Sequence, residues 1–423
     1  MGKNSRIWLY NYDFEFELAR TLPYQNNGTS PLWFFLNRSS SLFLPLTASD
    51  DRILAYEKPH PGLLSRLERK LGFLPEYRIL KLEGPESNSI LNDLLRSPSK
   101  TEALDSCRLE PWGWSPQAEK AVTLGGGTYR DGKSKAETVR HLNSKRTSFI
   151  LRNRLLPPSF RFPSKNVGLG SVRSKSLRQR IDAFAEKNRP FYVKHYFGVS
   201  GQLSILHDSG GIPDRALETY KSWIEKSGGI ILEKRVEGRK ELGFQFHFAG
   251  GRATFLGATE GLYSRFGSYR GSVVCRDGEH RYRKSVELLK PVCDYVLSSG
   301  YRGPLGIDTI ETAKGERKLL EINARYTMGR LAIAWHHRVN PQKWGLLFTR
   351  FFAAKSFFGT ESLLTVLDSI EKSFQAEITP IHHCCRPYGK GFRCFCIVFI
   401  GCATRNRLIE CRNGIDALFH GLS

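Results

Sequence analysis

Acidic residues are scarce in this sequence. Across 423 residues, 41 Asp and Glu stand against 64 Lys and Arg, a formal charge of +23. That balance suits a polyanionic partner, whether nucleotide phosphates, nucleic acid or an anionic surface, and does not choose among them. Long apolar runs are missing too. The longest, Cys394 to Ala403, is about half the roughly 20 residues a spanning helix needs, so no membrane partner is expected. The first residues, Met1-Gly2-Lys3-Asn4-Ser5-Arg6, hold no apolar core of a secretory signal, and Arg6 breaks the myristoylation pattern. The expected compartment is the cytoplasm. Internal repeats are lacking, as is any Ser/His/Asp or Cys/His set for nucleophilic catalysis.

What is present is globular in kind. Apolar residues make up 40% and charged residues 25%, and the length suggests two or three domains. Nine cysteines do not make a disulfide framework in a chain of this length without a signal. Six of them, Cys384, Cys385, Cys394, Cys396, Cys402 and Cys411, crowd the end of the sequence beside His382 and His383. Paired Cys-x-x-Cys knuckles are absent, which argues against zinc. Phe392 to Ile400 alternates like a buried strand, where cysteine packs as a small hydrophobe. His382 to Cys385 are expected in a loop ahead of Pro387 and Gly389.

Three stretches differ in character. Residues 1–115 mix short apolar runs (Ile7 to Tyr10, Leu32 to Leu36) with a helical pattern from Pro61 to Leu71, which fits a small α/β layer domain. Residues 116–350 follow, opening with a basic region over 130–190 that holds sixteen Lys and Arg against four acids. Aromatics for stacking bases are sparse there, so a solvated surface is expected rather than a nucleic-acid arm. Strands then dominate: Phe191 to Lys194, Gly229 to Glu233, and the alternating Phe244, Phe246 and Phe248 before a hairpin turn at Gly250-Gly251. Residues 351–423 carry a helix and two strands around the cysteines, expected to complete a small sheet beside the preceding region. Trp112-Gly113-Trp114 and His336-His337 are unusual and read as packing or edge features.

Two nucleotide signatures compete. Gly127-Thr128-Tyr129-Arg130-Asp131-Gly132-Lys133-Ser134 satisfies the phosphate-loop formula G-x-x-x-x-G-K-[ST]. That loop needs a buried strand directly before it, and Ala121 to Leu124 is too short to serve. The second signature is a hairpin, Ile307 to Glu311 and Leu319 to Arg325, joined by a tight turn. If the turn centres between Lys314 and Gly315, Asp308 faces Glu321. Two carboxylates opposed on a ladder repel unless a cation lies between them. Period two adds Asn323 and Arg325 to the face of Glu321. Two carboxylates and an amide oxygen suit magnesium, which takes hard oxygen ligands and completes its shell with phosphates. Upstream, Lys194 ends a strand and Gly198-Val199-Ser200-Gly201 follows, small enough for backbone amides to approach an anion.

This ordered series resembles the ATP-grasp superfamily of ATP-dependent ligases over roughly residues 143–340. The resemblance implies an α/β fold, with an N-terminal α/β domain followed by a two-lobed grasp. It implies that Lys145 and Lys194 bind ATP phosphates under a flexible cover at Gly198, Ser200 and Gly201. Glu233 and the backbone near Val236 would form the adenine-contacting hinge, and Glu241 would sit at the ribose. Asp308, Glu321 and Asn323 would hold Mg2+ or Mn2+, and Arg325 would lie near the reacting groups. The implied chemistry activates a substrate carboxylate as an acylphosphate, which an amine, or less often a thiol, then attacks. Some members place an arginine just before Asp308. Here Leu305-Gly306 stands there, so charge stabilisation would fall to Arg325 or to the loop Arg265 to Arg270. The alternatives are a P-loop NTPase on Gly127 to Ser134, and a basic polyanion or nucleic-acid binder with an inactive grasp fold.

Overall fold

Three sheets organise the chain. The structure is a computed structural model and describes residues 5–19, 38–80, 89–96, 104, 107–124, 135–171, 176–198, 203–264, 269–275, 278–339 and 343–422. The apolar run Leu32 to Leu36 and the Gly127 to Ser134 loop lie outside these residues.

The first sheet is parallel: β1 (Arg6–Leu9), β2 (Arg52–Ala55), β3 (Glu76–Ile79) and β4 (Arg108–Pro111), in the order β3-β2-β1-β4. β1 lies between neighbours and buries Ile7, Trp8 and Leu9 alike, as a parallel strand covered on both faces must. The helix Pro61–Leu71 turns Leu63, Leu64, Leu67 and Leu71 inward, an i, i+1, i+4, i+8 stripe. It stops at Gly72, whose φ of +80° makes the left-handed cap.

A second, antiparallel sheet holds β5 (Ser164–Gly168), β6 (Phe191–His195), β7 (Ser204–His207) and β8 (Gly229–Lys234), ordered β5-β8-β6-β7. The helices Ser176–Asn188 and Asp214–Ser227 supply its own core with Ile181, Phe184, Tyr220 and Ile224.

The third sheet is antiparallel and has eight strands: β9 (Gly238–Ala249), β10 (Arg252–Tyr263), β11 (Tyr269–Val274), β12 (Gly303–Thr312), β13 (Arg317–Asn323), β14 (Trp344–Ala354), β15 (Glu377–Tyr388) and β16 (Gly391–Cys402). The order is β13-β12-β9-β10-β11-β14-β16-β15. β9 and β10 join through Gly250 and Gly251, both at positive φ, with Ala249 paired to Arg252. This is the two-residue turn the sequence announces.

Two expectations need correction. His382 to Cys385 do not form a loop. They sit inside β15, with Cys385 opposite Cys394 and His383 opposite Cys396. The strand continues because its partner β16 is apolar on both faces and must be covered along its whole length. Cys394, Cys396, Val398, Ile400 and Cys402 pack against the helices Thr360–Phe374 and Arg405–Gly421, while Phe395, Ile397 and Phe399 face the main core. Nor does the tail build a sheet of its own beside the rest. It lengthens the large sheet through β14.

With these sulfurs committed to packing, elemental analysis of untagged protein is expected to find no stoichiometric zinc. One zinc per chain, lost together with stability in Cys394→Ser, would contradict this packing role.

Candidate active site

The β12–β13 hairpin forms one edge of the large sheet. Its turn closes through Gly315 N–H to Thr312 O at 2.9 Å, with Gly315 at a φ of +74°. From the turn the ladder pairs Glu311 with Arg317, Ile310 with Lys318 and Thr309 with Leu319. That is one residue out of step with a turn centred between Lys314 and Gly315. A bulge between Asp308 and Thr309 leaves Leu320 as the extra residue. Beyond it Asp308 faces Glu321, Ile307 faces Ile322 and Gly306 faces Asn323. The carboxylates therefore oppose one another as expected, but the bulge brings them there rather than the turn.

Asn323 Nδ2 donates to Asp308 Oδ2 at 2.8 Å, so hairpin and amide form one polar group. Burial, and then the charge of Glu321, push the Asp308 carboxyl up to about 7. Burial would raise Glu321 as well, but the ammonium of Lys145 overcomes it and holds that carboxyl below the ordinary range. On its other side Asp308 pairs with Gly243, where a β-carbon would come within 3.1 Å of Asp308 Oδ1. The glycine keeps the space beside the carboxylate open.

Lys145 begins the helix Lys145–Arg154, capped by Ser144, whose side chain accepts from Arg146 N. Its Nζ donates to Glu321 and, at 3.4 Å, to Gly198 O. Its backbone N–H reaches Tyr196 O at 2.8 Å. One side chain thus bridges the large sheet and the end of the segment leaving β6. Spacing of i, i+3 and i+7 places Lys145, Ser148 and Arg152 on one helix face. Ser148 Oγ accepts from Ile322 N at 3.1 Å, satisfying an N–H of an edge strand. Asn143 braces Ala324 in both directions, at 3.0 and 3.4 Å.

Arg152 is the residue that sequence reasoning missed. It is fully buried. Nη2 donates to Glu233 at 2.9 Å and to Ser164 at 2.9 Å, while Nη1 reaches Leu319 O at 3.1 Å. Phe162 lies under its guanidinium at 3.9 Å. Strands β5, β8 and β13 are thereby tied through one side chain. The helix-face spacing with Lys145 is the signal that could have found it. On the other side of Glu233, Lys194 Nζ lies at 2.7 Å. Burial alone would raise the Glu233 carboxyl, but the two cations outweigh it and hold it at about 2.

Val236 lies in the connection from β8 to β9, where the small sheet passes into the large one. The segment is anchored by Lys234 N–H to Pro163 O and Arg235 N–H to Pro190 O. Glu241 lies on β9, opposite Ile310. Burial raises its carboxyl against a hydrogen bond from Tyr263. Arg325 lies just past β13 and is buried. It donates to Asn323 Oδ1 at 3.1 Å and forms an ion pair with Glu15 of the N-terminal part, a partner no spacing in the sequence announces. Gly198 is placed beside Lys145, whereas Ser200 and Gly201 lie outside the described residues, as do 265–268 of the arginine loop. The segment leading to Gly127 is a helix, Pro116–Leu124, not the strand a phosphate loop requires. His336 is buried, with Nε2 bonded to Lys343 O at 2.6 Å, in agreement with a packing role.

Solved enzymes share this fold. An N5-carboxyaminoimidazole synthetase from Staphylococcus aureus, complexed with ADP, is 12% identical with a TM-score of 0.52, covering 97% of this chain and 98% of that one. A biotin carboxylase from Campylobacter jejuni is 12% identical with a TM-score of 0.55, covering 96% and 89%. An L-amino acid ligase from Bacillus licheniformis is 13% identical with a TM-score of 0.52, covering 98% and 97%. The chain has the ATP-grasp fold. The likeness covers 96–98% of this chain. No protein-family model matches the sequence, and no curated protein matches it. No helix among the described residues is long and apolar enough to cross a membrane.

Proposed function

We propose that this ATP-grasp chain is an ATP-dependent ligase that activates a carboxylate as an acylphosphate for attack by an amine. One observation carries the reading. Asp308 and Glu321 oppose one another beside Asn323, with Lys145 bonded to Glu321 and the charge of Lys194 also acting on it. Like charges so placed demand a cation, and Lys145 supplies one at Glu321. Solved enzymes of the same fold in complex with ADP, ATP or MgADP support nucleotide as the ligand of this site.

Lys145, Lys194 and the Gly198–Gly201 segment, with Ser200, are assigned to the phosphates. Glu233 and the backbone at Val236 are assigned to the adenine side, and Glu241 to the ribose. The donor set of Asp308, Glu321 and Asn323 fits magnesium: all three offer hard oxygens, and Gly243 leaves room beside Asp308. Bound there, the metal would neutralise charge on the phosphates. Arg325, aimed by Glu15, is assigned to the carboxylate. In the first step a carboxylate oxygen attacks the γ-phosphorus and ADP leaves. In the second the amine attacks the acyl carbon, and phosphate departs with the carboxylate's oxygen. Positioning and charge neutralisation supply the catalysis, with no protein nucleophile. We place the division into 1–115, 116–350 and 351–423, and a cytoplasmic setting, with this reading.

ADP release, screened against amino acids and small carboxylic acids with hydroxylamine as the trapping amine, tests it. Hydroxamate equal to ADP supports the ligase. ADP release without hydroxamate for any acid contradicts it. Lysine substitutions separate the two nucleotide signatures. Lys194→Met is expected to weaken ATP binding about 100-fold, the scale of a charge-assisted contact of about 2–3 kcal/mol. Lys133→Ala should stay within about twofold, since no strand leads into its loop. The reverse order by calorimetry would reinstate the phosphate loop.

A further inference from the structure

Packing alone requires no contact between sulfurs, yet two cysteines near the end of the chain touch. Cys385 on β15 stands directly opposite Cys394 on β16, and Cys394 Sγ donates to Cys385 Sγ at 2.7 Å. Both are free thiols. Opposed residues of an antiparallel ladder have α-carbons about 4.5–5.5 Å apart, inside the range of about 4.4–6.8 Å that a disulfide spans. The two sulfurs can therefore bond with little backbone movement.

The two thiols differ in what reaches them. Cys394 is fully buried in the core that the helices Thr360–Phe374 and Arg405–Gly421 cover. Burial, reinforced by its bond to Cys385, pushes its thiol far above the ordinary range. Cys385 is partly exposed, beside the exposed run 386–390 where the hairpin turns. An oxidant from solvent meets Cys385 first, and Cys394 lies behind it as the resolving thiol. Other cysteines are placed badly for this. Cys384 falls on the opposite face of β15, with its sulfur 4.0 Å from Glu57. Cys396 is fully buried and stands opposite His383. Cys402 and Cys411 are hydrogen-bonded to each other, but both are fully buried, so no oxidant reaches them in the folded chain.

We propose that Cys385 and Cys394 are a reversible thiol–disulfide pair, oxidised by a hydroperoxide and restored by a dithiol, whose disulfide staples β15 to β16. In the first step the Cys385 sulfur, as its thiolate, attacks a peroxide oxygen. The O–O bond breaks, hydroxide leaves with the proton Cys385 gave up, and Cys385 becomes a sulfenic acid. The Cys394 sulfur then attacks the Cys385 sulfur. The S–S bond forms, the S–O bond breaks, and the hydroxyl group leaves as water with the Cys394 proton. Two thiols lose two electrons, which reduce one peroxide to two waters. A dithiol reverses the bond by exchange and is itself oxidised to a disulfide. The closed loop of about ten residues constrains the unfolded chain. The staple lies on the edge strand, next to Arg386, which holds Glu57 of the N-terminal part at 3.0 Å. β13 is the other edge of the same sheet, so the pair stands apart from the ligase reading.

The test treats the full chain, reduced with dithiothreitol and then freed of it, with a few equivalents of hydrogen peroxide. Remaining thiols are alkylated in denaturant, and the unreduced peptides are mapped by mass spectrometry. The expected product is a Cys385–Cys394 cross-link, with Cys402 and Cys411 both alkylated. It should raise the melting temperature by about 2–4 °C and vanish when dithiothreitol returns. Cys394→Ala, which keeps a small apolar group in the core, should stop at a Cys385 sulfenic acid that dimedone traps. Cys385→Ser, at a partly exposed position, should show neither product. Wild-type Cys385 recovered as a free thiol or a sulfinic acid, without the cross-link, overturns the pair. A Cys402–Cys411 link formed as fast overturns it too, since oxidation would then follow opening of the chain. A cross-link that leaves the melting temperature unchanged overturns the staple.

Discussion

Glu321→Gln is expected to lower magnesium-dependent ADP release by about 10²–10³-fold, the scale of losing one preorganised electrostatic contact at a phosphoryl centre. The amide keeps the shape and the hydrogen-bonding capacity of the side chain, so the partner of Lys145 is weakened rather than deleted. Asp308 then loses the like charge across the ladder, and its carboxyl should return toward the ordinary range. The loss must appear in turnover at saturating ATP, with a melting temperature within a few degrees of wild type. Near-normal turnover in the folded variant would remove the metal role from this hairpin.

The largest effect on stability is expected at Glu233. It lies between Lys194 and Arg152, and its removal in Glu233→Ala leaves two cations facing one another without an anion, one of them fully buried. Breaking such a pair from one side costs about 3–5 kcal/mol, which lowers the melting temperature by roughly 3–6 °C in a protein of this size. The pH dependence has a definite sign. The Glu233 carboxyl is depressed from 4.5 to about 2. Its contribution is therefore fully present above pH 4.5 and is lost as pH falls through about 2. Thermal melts of wild type and Glu233→Gln between pH 7 and pH 2.5 should converge as the acid limit is approached. Parallel curves over that range would show that Glu233 does not carry the charge of this cluster.

How much of this was legible beforehand depends on the kind of contact. The Asp308, Glu321 and Asn323 group was readable because a hairpin makes sequence distance and spatial distance the same thing. Even so, the turn and a bulge at Leu320 each moved the register by one, and only their sum gave the expected pairing. Lys194 could be found because it ends an apolar strand ahead of a glycine-rich segment. The pairings of Arg152 and Glu15 could not, since each partner lies far along the chain: Glu233 lies 81 residues from Arg152, and Arg325 lies 310 from Glu15. Such pairings are fixed by how sheets pack, and no local periodicity reports that. The misplacement of His382 to Cys385 has a different cause. Pro387 and Gly389 signal a turn, and they do lie near one. Yet the alternating apolar faces of β16 require a partner along their whole length, so β15 runs through the histidines to Tyr388 before the chain reverses.

The most direct measurement follows oxygen. A pool of amino and aliphatic acids labelled with ¹⁸O in the carboxylate is incubated with the protein, ATP, magnesium and hydroxylamine, and the released phosphate is analysed by mass spectrometry. If a carboxylate oxygen attacks the γ-phosphorus, each phosphate released with ADP carries one ¹⁸O. Phosphate released with ADP but free of label would mean that water, not a carboxylate, is the acceptor, and the ligase assignment would fall.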